Sequence, residues 1–445
     1  MKVLLIRPQA PNKLSFINIL DNEPLELEYL DTELQHRGFE GYIYDGLIET
    51  TSVRDTIARE NPDVVAVTGY ITQQNLMIEY CRLAKENNSQ TITIVGGVHV
   101  QRNYEAFYHD SIDYLLRSES VHDFGELLAG TDLSAINGLI YKKDGQIVMN
   151  ELVPIDINTL PIPDRSFFNK HKSRYHYLHL KEVATIKTAF SCPYSCNFCY
   201  CTLLAGGKYR ARDLSLVIEE LKTIESQNIQ IVDDDFLVDR VRLTEFIRLV
   251  RENKIEKTYI CYARADFIAN NEDLVRELRS VGFMYFLVGL EAISNEALLA
   301  MNKQVNIDEN RKCIEVLRNA NAHCIALMIA PLSADKEYFR KLYDFVKETG
   351  LLYVTVSMFT PIPGTPLYEE YKERIVSDDI EDYDFLHLVL EPEKLTKKQF
   401  YMEYNKLVVR LYNLAKKSGI YDFMDMEFYK NMLTGYLKRK MRGHS

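Results

Sequence analysis

The chain has 445 residues, enough for two or three domains, and an apolar fraction of 47% allows each a core of its own. Its formal net charge of −11 argues against a nucleic-acid surface, and no window reaches the roughly 20 apolar residues that a membrane span requires. Nothing points to an oxidising compartment, so the eight cysteines are expected to be reduced and the protein cytoplasmic. Residues 1–8 read as a strand entering a loop, with no apolar leader, and Lys438-Arg439-Lys440 with Arg442 reads as a solvated basic tail.

Residues 1–130 alternate short apolar strands with helical patterns. Strands are expected at 3–6, 41–45, 64–69, 91–97 and 113–117, with a helix opening at 25–30. This is the pattern of a flavodoxin-like or Rossmann-like, doubly wound parallel sheet. Ligands of such sheets sit at the carboxyl ends of the strands. That rule singles out Thr68, Gly69, Tyr70, Ile71 and Thr72 after the third strand, and Gly96, Gly97 and His99 after the fourth. The glycines let a backbone come close to a bulky ligand. A dinucleotide Gly-x-Gly-x-x-Gly is missing, and a module that binds a nucleotide, or nothing, is the alternative. His99 reads as a polar contact at the pocket edge rather than a metal ligand.

Residues 131–180 read as a connector, with a β-hairpin around Lys142-Lys143-Asp144-Gly145 and an extended Pro-rich run at 160–165. Residues 181–370 then carry six strand patterns, at 183–190, 229–236, 259–266, 285–292, 324–331 and 353–360. Six strands with helices between them make a partial (β/α)6 barrel, an open arc rather than a closed eight-stranded one.

Straight after the first of these strands stand Cys192, Cys196 and Cys199, spaced CxxxCxxC. Three thiolates can hold three irons of a 4Fe-4S cube and leave the fourth open to a substrate. A zinc site completed by Cys201, or a disulfide, is the alternative. The second strand ends in Asp233-Asp234-Asp235, an acidic run that suits Mg²⁺ or solvent. Arg264 ends the third strand; its fork suits a carboxylate, and an ion pair to Asp266 or Asp235 is the other reading. Residues 371–445 form a helical, charged extension. There Phe400, Tyr404, Leu407, Val408 and Leu411 mark one apolar face for packing, and His387 is read as a hydrogen-bonded structural residue before a general base.

The cysteine loop in this setting resembles the radical SAM superfamily. Val95-Gly96-Gly97-Val98-His99, with 62–68 before it and 117–120 after, looks like the cobalamin-binding domain that precedes many radical SAM enzymes. The whole pattern resembles the cobalamin-dependent group that contains C-methyltransferases and the anaerobic chlorophyll-precursor cyclase. The resemblance implies three cofactors: a 4Fe-4S cluster on Cys192, Cys196 and Cys199, S-adenosylmethionine (SAM), and cobalamin. It implies Asp234 or Asp235 for the methionyl ammonium and Glu291, beside Gly289, near the SAM ribose and amino group. Arg264 is expected on the SAM carboxylate.

The activity implied is reductive cleavage of SAM to a 5′-deoxyadenosyl radical, hydrogen abstraction from an unactivated carbon, and methyl transfer from methylcobalamin. A cyclase or other non-methylating radical enzyme, a cobalamin-free radical SAM enzyme and a non-catalytic iron-sulfur or cobalamin sensor are the alternatives. Implied partners are a flavodoxin- or ferredoxin-type electron donor and a small-molecule, peptide or lipid substrate. Asp-x-His-x-x-Gly is absent, so cobalt is expected without a protein histidine beneath it, above the segment Tyr70-Ile71-Thr72. Ser118-Glu119-Ser120-Val121 and Ile329-Ala330-Pro331 depart from the family's Gly-Glu-x-Glu and Gly-x-Pro, whereas Pro363-Gly364-Thr365-Pro366 matches.

Overall fold

The computed structural model describes residues 1–9, 22–204 and 207–419, so the expected basic tail at 438–442 lies outside the described residues. Contacts divide the chain into two units. Of the described residues, the first takes Met1–Ala184 and Leu203–Arg212, and the second takes Thr185–Thr202 and those from Asp213 onward.

In the first unit β1 (Lys2–Arg7), β2 (Glu40–Asp45), β3 (Val64–Thr68), β4 (Ile92–Gly96) and β5 (Tyr114–Leu116) run parallel in the order β2-β1-β3-β4-β5. The order reverses beside β1, which sets the switch point of a doubly wound sheet. Both faces are covered, and the period of two explains how. Leu4, Ile6, Val65, Val67 and Val95 pack with Ile57 of α2 (Val53–Glu60) and with Met77 and Tyr80 of α3 (Gln74–Asn87). Their neighbours Val3, Leu5, Val64, Ala66 and Ile94 join Leu27 and Leu34 of α1 (Leu25–His36) on the other face.

The predicted hairpin forms, as β6 (Leu139–Lys143) and β7 (Gln146–Met149), but it does not stand apart as a connector. β6 pairs antiparallel with β5 and brings the sheet to seven strands. The reason is burial: Leu139, Ile140 and Tyr141 fill the edge that the short β5 leaves open. The turn residues Asp144 and Gly145 are both left-handed, with φ of 51° and 76°, as a two-residue hairpin turn requires. Leu203–Arg212 is anchored in the same unit by Arg210, which pairs with Glu119 at 2.8 Å and donates to Ile155 O at 2.6 Å.

Six strands, the first of them entering the second unit at Thr185, follow one another in chain order: β8 (Val183–Ile186), β9 (Asn228–Ile231), β10 (Thr258–Ala263), β11 (Phe283–Glu291), β12 (His323–Ala330) and β13 (Tyr353–Met358). From β9 to β13 every neighbouring pair is parallel. The connections carry α4 (Leu214–Thr223), α5 (Arg240–Glu252), α6 (Glu272–Ser280), α7 (Ile307–Asn319) and α8 (Lys336–Thr349). Asp239, Asn306 and Asp335 cap the amino termini of α5, α7 and α8 with their side chains. The result is the open (β/α)6 arc expected.

The helix α9 (Lys397–Lys416) packs on this arc. Phe339 of α8 meets Phe400 edge-on at 5.3 Å, and the Tyr404 hydroxyl donates to Val356 O at 2.7 Å. The buried stripe is Phe400, Tyr404, Leu407, Leu411 and Ala415; Val408 is 42% exposed. The apolar face is thus one residue narrower than expected, because 408 turns past the contact line. Among the described residues no helix is long and apolar enough to cross a membrane.

An aromatic cluster joins α5 to the sheet. Phe283, fully buried, stacks on Tyr259 at 4.7 Å and Phe236 at 5.4 Å and meets Phe246 edge-on at 6.0 Å. Phe283→Ala is expected to cost about 3–5 kcal/mol of stability. The check is a urea unfolding curve, in which a midpoint equal to that of the wild type would contradict the packing.

Candidate functional site

The cysteine loop has little regular structure, so its shape is imposed by its neighbours. Asp233, buried after β9, accepts from the Thr188 amide at 2.6 Å, the Thr188 hydroxyl at 2.5 Å and the Ala189 amide at 2.9 Å. This carboxylate staples the entry of the loop to β9. Residues 300–303 hold the loop further on. Asn197 donates its amide to Met301 O at 3.3 Å and its side chain to Ala300 O at 2.9 Å, while Asn302 donates to Ser195 O at 2.7 Å.

Cys196 is buried, Cys192 and Cys199 are half-buried, and all eight cysteines are free thiols. Burial pushes the Cys192 thiol up to about 12 and raises Cys196 as well, against the pull of Lys303 and Arg264. Cys199 moves the other way. A hydrogen bond from Cys201 favours its thiolate, and the same bond holds Cys201 protonated. Cys201 is therefore engaged as a donor to Cys199. Among the described residues no three His, Cys, Asp or Glu side chains converge to hold a single metal ion. Three thiols in one loop could hold a 4Fe-4S cluster and leave one of its irons open.

The ends of β9, β10 and β11 bring charged groups to this loop. Glu291 closes β11 in the left-handed region, φ 60°, where the register against β12 shifts. Such a bulge re-aims a side chain. The Glu291 carboxylate reaches Lys303 Nζ at 3.0 Å, and both residues are buried. Gly289 makes the room: a Cβ there would lie 2.2 Å from Glu291 Oε1 and 2.7 Å from Lys303 Nζ. Burial works against the Lys303 ammonium, but Glu291 and Cys196 outweigh it and keep its pKa above the usual value. The ammonium also lies 5.9 Å over the Phe198 ring of the loop. Sequence reading does not single out Lys303, because a lysine twelve residues beyond Glu291 acquires its partner only through the bulge.

Arg264 forms the ion pair to Asp266 that the sequence left open, at 3.0 and 3.2 Å. It also donates to Lys303 O at 2.7 Å, approaches Cys196 Sγ at 3.7 Å and lies 3.9 Å over the Tyr194 ring. The three aspartates at the end of β9 part company. Asp233 is the staple described above, and Asp234 faces Lys187 at 3.8 Å. Asp235 is 2% exposed; Oδ1 accepts from Leu237 N at 3.1 Å, while Oδ2 is buried without a hydrogen-bond partner. Burial pushes its carboxyl up to about 7, against the Leu237 amide, Arg264 and Lys303.

In the first unit the singled-out residues meet where Thr68 pairs with Gly96. Gly97 has φ 94°, and a Cβ there would lie 2.2 Å from Thr68 Oγ1, so β3 and β4 end in direct contact. Tyr70 is 52% exposed at this rim, whereas Thr72 is buried with its hydroxyl unpartnered. Gln73, not marked by any motif, accepts from Tyr70 N at 3.0 Å and donates to Pro8 O at 2.9 Å, joining the loops after β1 and β3. His99 Nε2 lies 2.8 Å from Gln74 Oε1 and Nδ1 lies 3.3 Å from Asn103 Nδ2. Burial pushes the imidazole down to about 4, which keeps it neutral. Both ring nitrogens of His99 are thus engaged within the protein, and the glycine backbone of the rim lies beside the unpartnered Thr72 hydroxyl.

Residues 20–128 match the family model of the B12 binding domain, and residues 186–346 that of the Radical SAM superfamily. The chain is 26% identical over 425 residues to the hopanoid C-3 methylase of Methylococcus capsulatus, spanning 93% of this chain and 80% of that protein. It is 25% identical over 422 residues to the anaerobic magnesium-protoporphyrin IX monomethyl ester cyclase of Rubrivivax gelatinosus, spanning 89% and 75%. The solved structure of the radical S-adenosylmethionine methyltransferase TsrM from Kitasatospora setae shares the fold, with a TM-score of 0.66 and 16% identity over 93% of this chain and 90% of that one. A B12-binding domain followed by a radical SAM domain, on a fold of this kind, makes the chain a cobalamin-dependent radical SAM enzyme.

Proposed function

We propose that this enzyme is a C-methyltransferase acting on a small-molecule, peptide or lipid substrate, with electrons from a flavodoxin- or ferredoxin-type donor. The observation that carries the reading is the convergence on one cysteine loop of a buried Glu291–Lys303 pair, Arg264 and an orphaned Asp235 oxygen. When bound, the cluster and the corrin supply the electron and the methyl group; the protein supplies position and a dry site. Cys192, Cys196 and Cys199 are the cluster ligands in this reading. Asp235 offers its unpartnered Oδ2 to the methionyl ammonium, and Glu291, fixed by Lys303, lies on the ribose side. Thr68, Gly69, Tyr70, Ile71, Thr72, Gly96, Gly97 and His99 would line the corrin site. Eight free thiols support a reducing, cytoplasmic setting.

A second reading, ring closure without methylation, is favoured by the cyclase relative at nearly the same identity. Anaerobic reconstitution with iron, sulfide and hydroxocobalamin is expected to give about four irons and one corrin per chain. Under reduction, 5′-deoxyadenosine and S-adenosylhomocysteine should both appear. Deoxyadenosine alone would replace methylation by the cyclase reading, and iron without corrin would remove cobalamin from it.

The roles of single residues separate in the same preparation. Serine at 192, 196 or 199 should each abolish the visible absorption of the cluster, whereas Cys201→Ser should retain iron; equal loss in all four would make Cys201 a ligand. Asp235→Asn and Gly289→Ala are expected to weaken SAM binding by about tenfold or more, roughly 1.4 kcal/mol each, measured by calorimetry. Asp234→Asn should change it by less than about threefold, roughly 0.6 kcal/mol. An equal effect at 234 and 235 would undo the assignment of the ammonium contact.

A further inference from the structure

We infer that Arg264 is a positioning residue that donates a directed N–H from Nη1 to the Cys196 sulfur and so raises the reduction potential of the cluster. This rests on the reading that the three cysteines hold that cluster. Four contacts fix the guanidinium. Nε and Nη2 grip Asp266 at 3.0 and 3.2 Å, and Nη2 also donates to Lys303 O at 2.7 Å. The guanidinium plane lies 3.9 Å over the ring of Tyr194, which stands between Cys192 and Cys196 in the loop. The fork that suits a carboxylate is thus occupied by Asp266, and the remaining edge, Nη1, points to Cys196 Sγ at 3.7 Å, within reach of a sulfur acceptor.

The electrostatic consequence follows from where that sulfur lies. Cys196 is 9% exposed, so a donated N–H is poorly replaced by water. Reduction adds negative charge that is shared with the ligand sulfurs. A hydrogen bond to one of them stabilises the reduced form more than the oxidised form, and hydrogen bonding and burial set the potentials of such clusters. Asp266 offsets much of the positive charge, so the directed bond carries the effect rather than net charge. Lysine lacks the fork that aims it.

The test is a redox titration of the reconstituted holoenzyme without SAM, followed by the paramagnetic resonance of the reduced cluster. In Arg264→Lys the charge remains while the aimed N–H is lost. The reduction equilibrium should shift about tenfold toward the oxidised form, about 59 mV for one electron, with iron content unchanged. Asp266→Glu keeps both charges but displaces the carboxylate that aims the guanidinium, and a smaller shift of the same sign is expected. A potential unmoved in both variants at full iron content overturns the proposal. Where Arg264→Lys does not hold iron, Asp266→Glu decides by the same criterion. A wild-type chain that binds no four-iron cluster would defeat the underlying reading instead, which is a distinct result.

Discussion

The buried ion pair between Glu291 and Lys303 is the constraint on which the catalytic end of the second unit depends. Lys303 fixes more than its own ammonium. Its carbonyl takes Arg264, and the residues just before it, Ala300, Met301 and Asn302, hold Asn197 and Ser195 of the cysteine loop. A buried charge is tolerated only when paired, and removing one partner of such a pair costs about 3–5 kcal/mol. Here that energy is concentrated on one short segment, which explains the strained φ of Glu291 and the absence of a side chain at Gly289. The loop needs an external mould because it has little regular hydrogen bonding of its own.

The acidic run after β9 shows how one composition divides into three environments. Asp233 spends its charge on backbone and hydroxyl donors at the start of the loop, Asp234 faces a lysine, and Asp235 keeps one buried oxygen without a hydrogen-bond partner. Sequence reading identifies the run but not the division. Which of three adjacent carboxylates turns inward depends on the path the chain takes after the strand ends, and no periodicity governs that path. Lys303 stayed hidden for the same reason. The strands, their order and the cysteine spacing were legible because burial on both faces of a parallel sheet leaves continuous apolar runs, and three cysteines in a short loop have few uses. The hairpin after β5 was legible as a hairpin only, since its turn chemistry is local while its partner strand is not.

The rim of the first unit obeys a different economy from the cysteine loop. Its polar side chains are largely satisfied within the protein: His99 by Gln74 and Asn103, and Gln73 by backbone on two loops. What remains is backbone at Gly96 and Gly97 and one buried, unpartnered hydroxyl at Thr72.

The placement of Leu203–Arg212 has a consequence for how such a chain can be taken apart. Among the described residues the backbone passes between the units three times, after Ala184, after Thr202 and after Arg212. The pairing of Arg210 with Glu119 anchors the returning strip in the first unit. The two units are therefore not cassettes joined by one linker. A chimera that exchanges the front half at a single crossover after Ala184 would separate that strip from the unit to which it belongs, so recombination of these modules requires three junctions and a matched ten-residue insert.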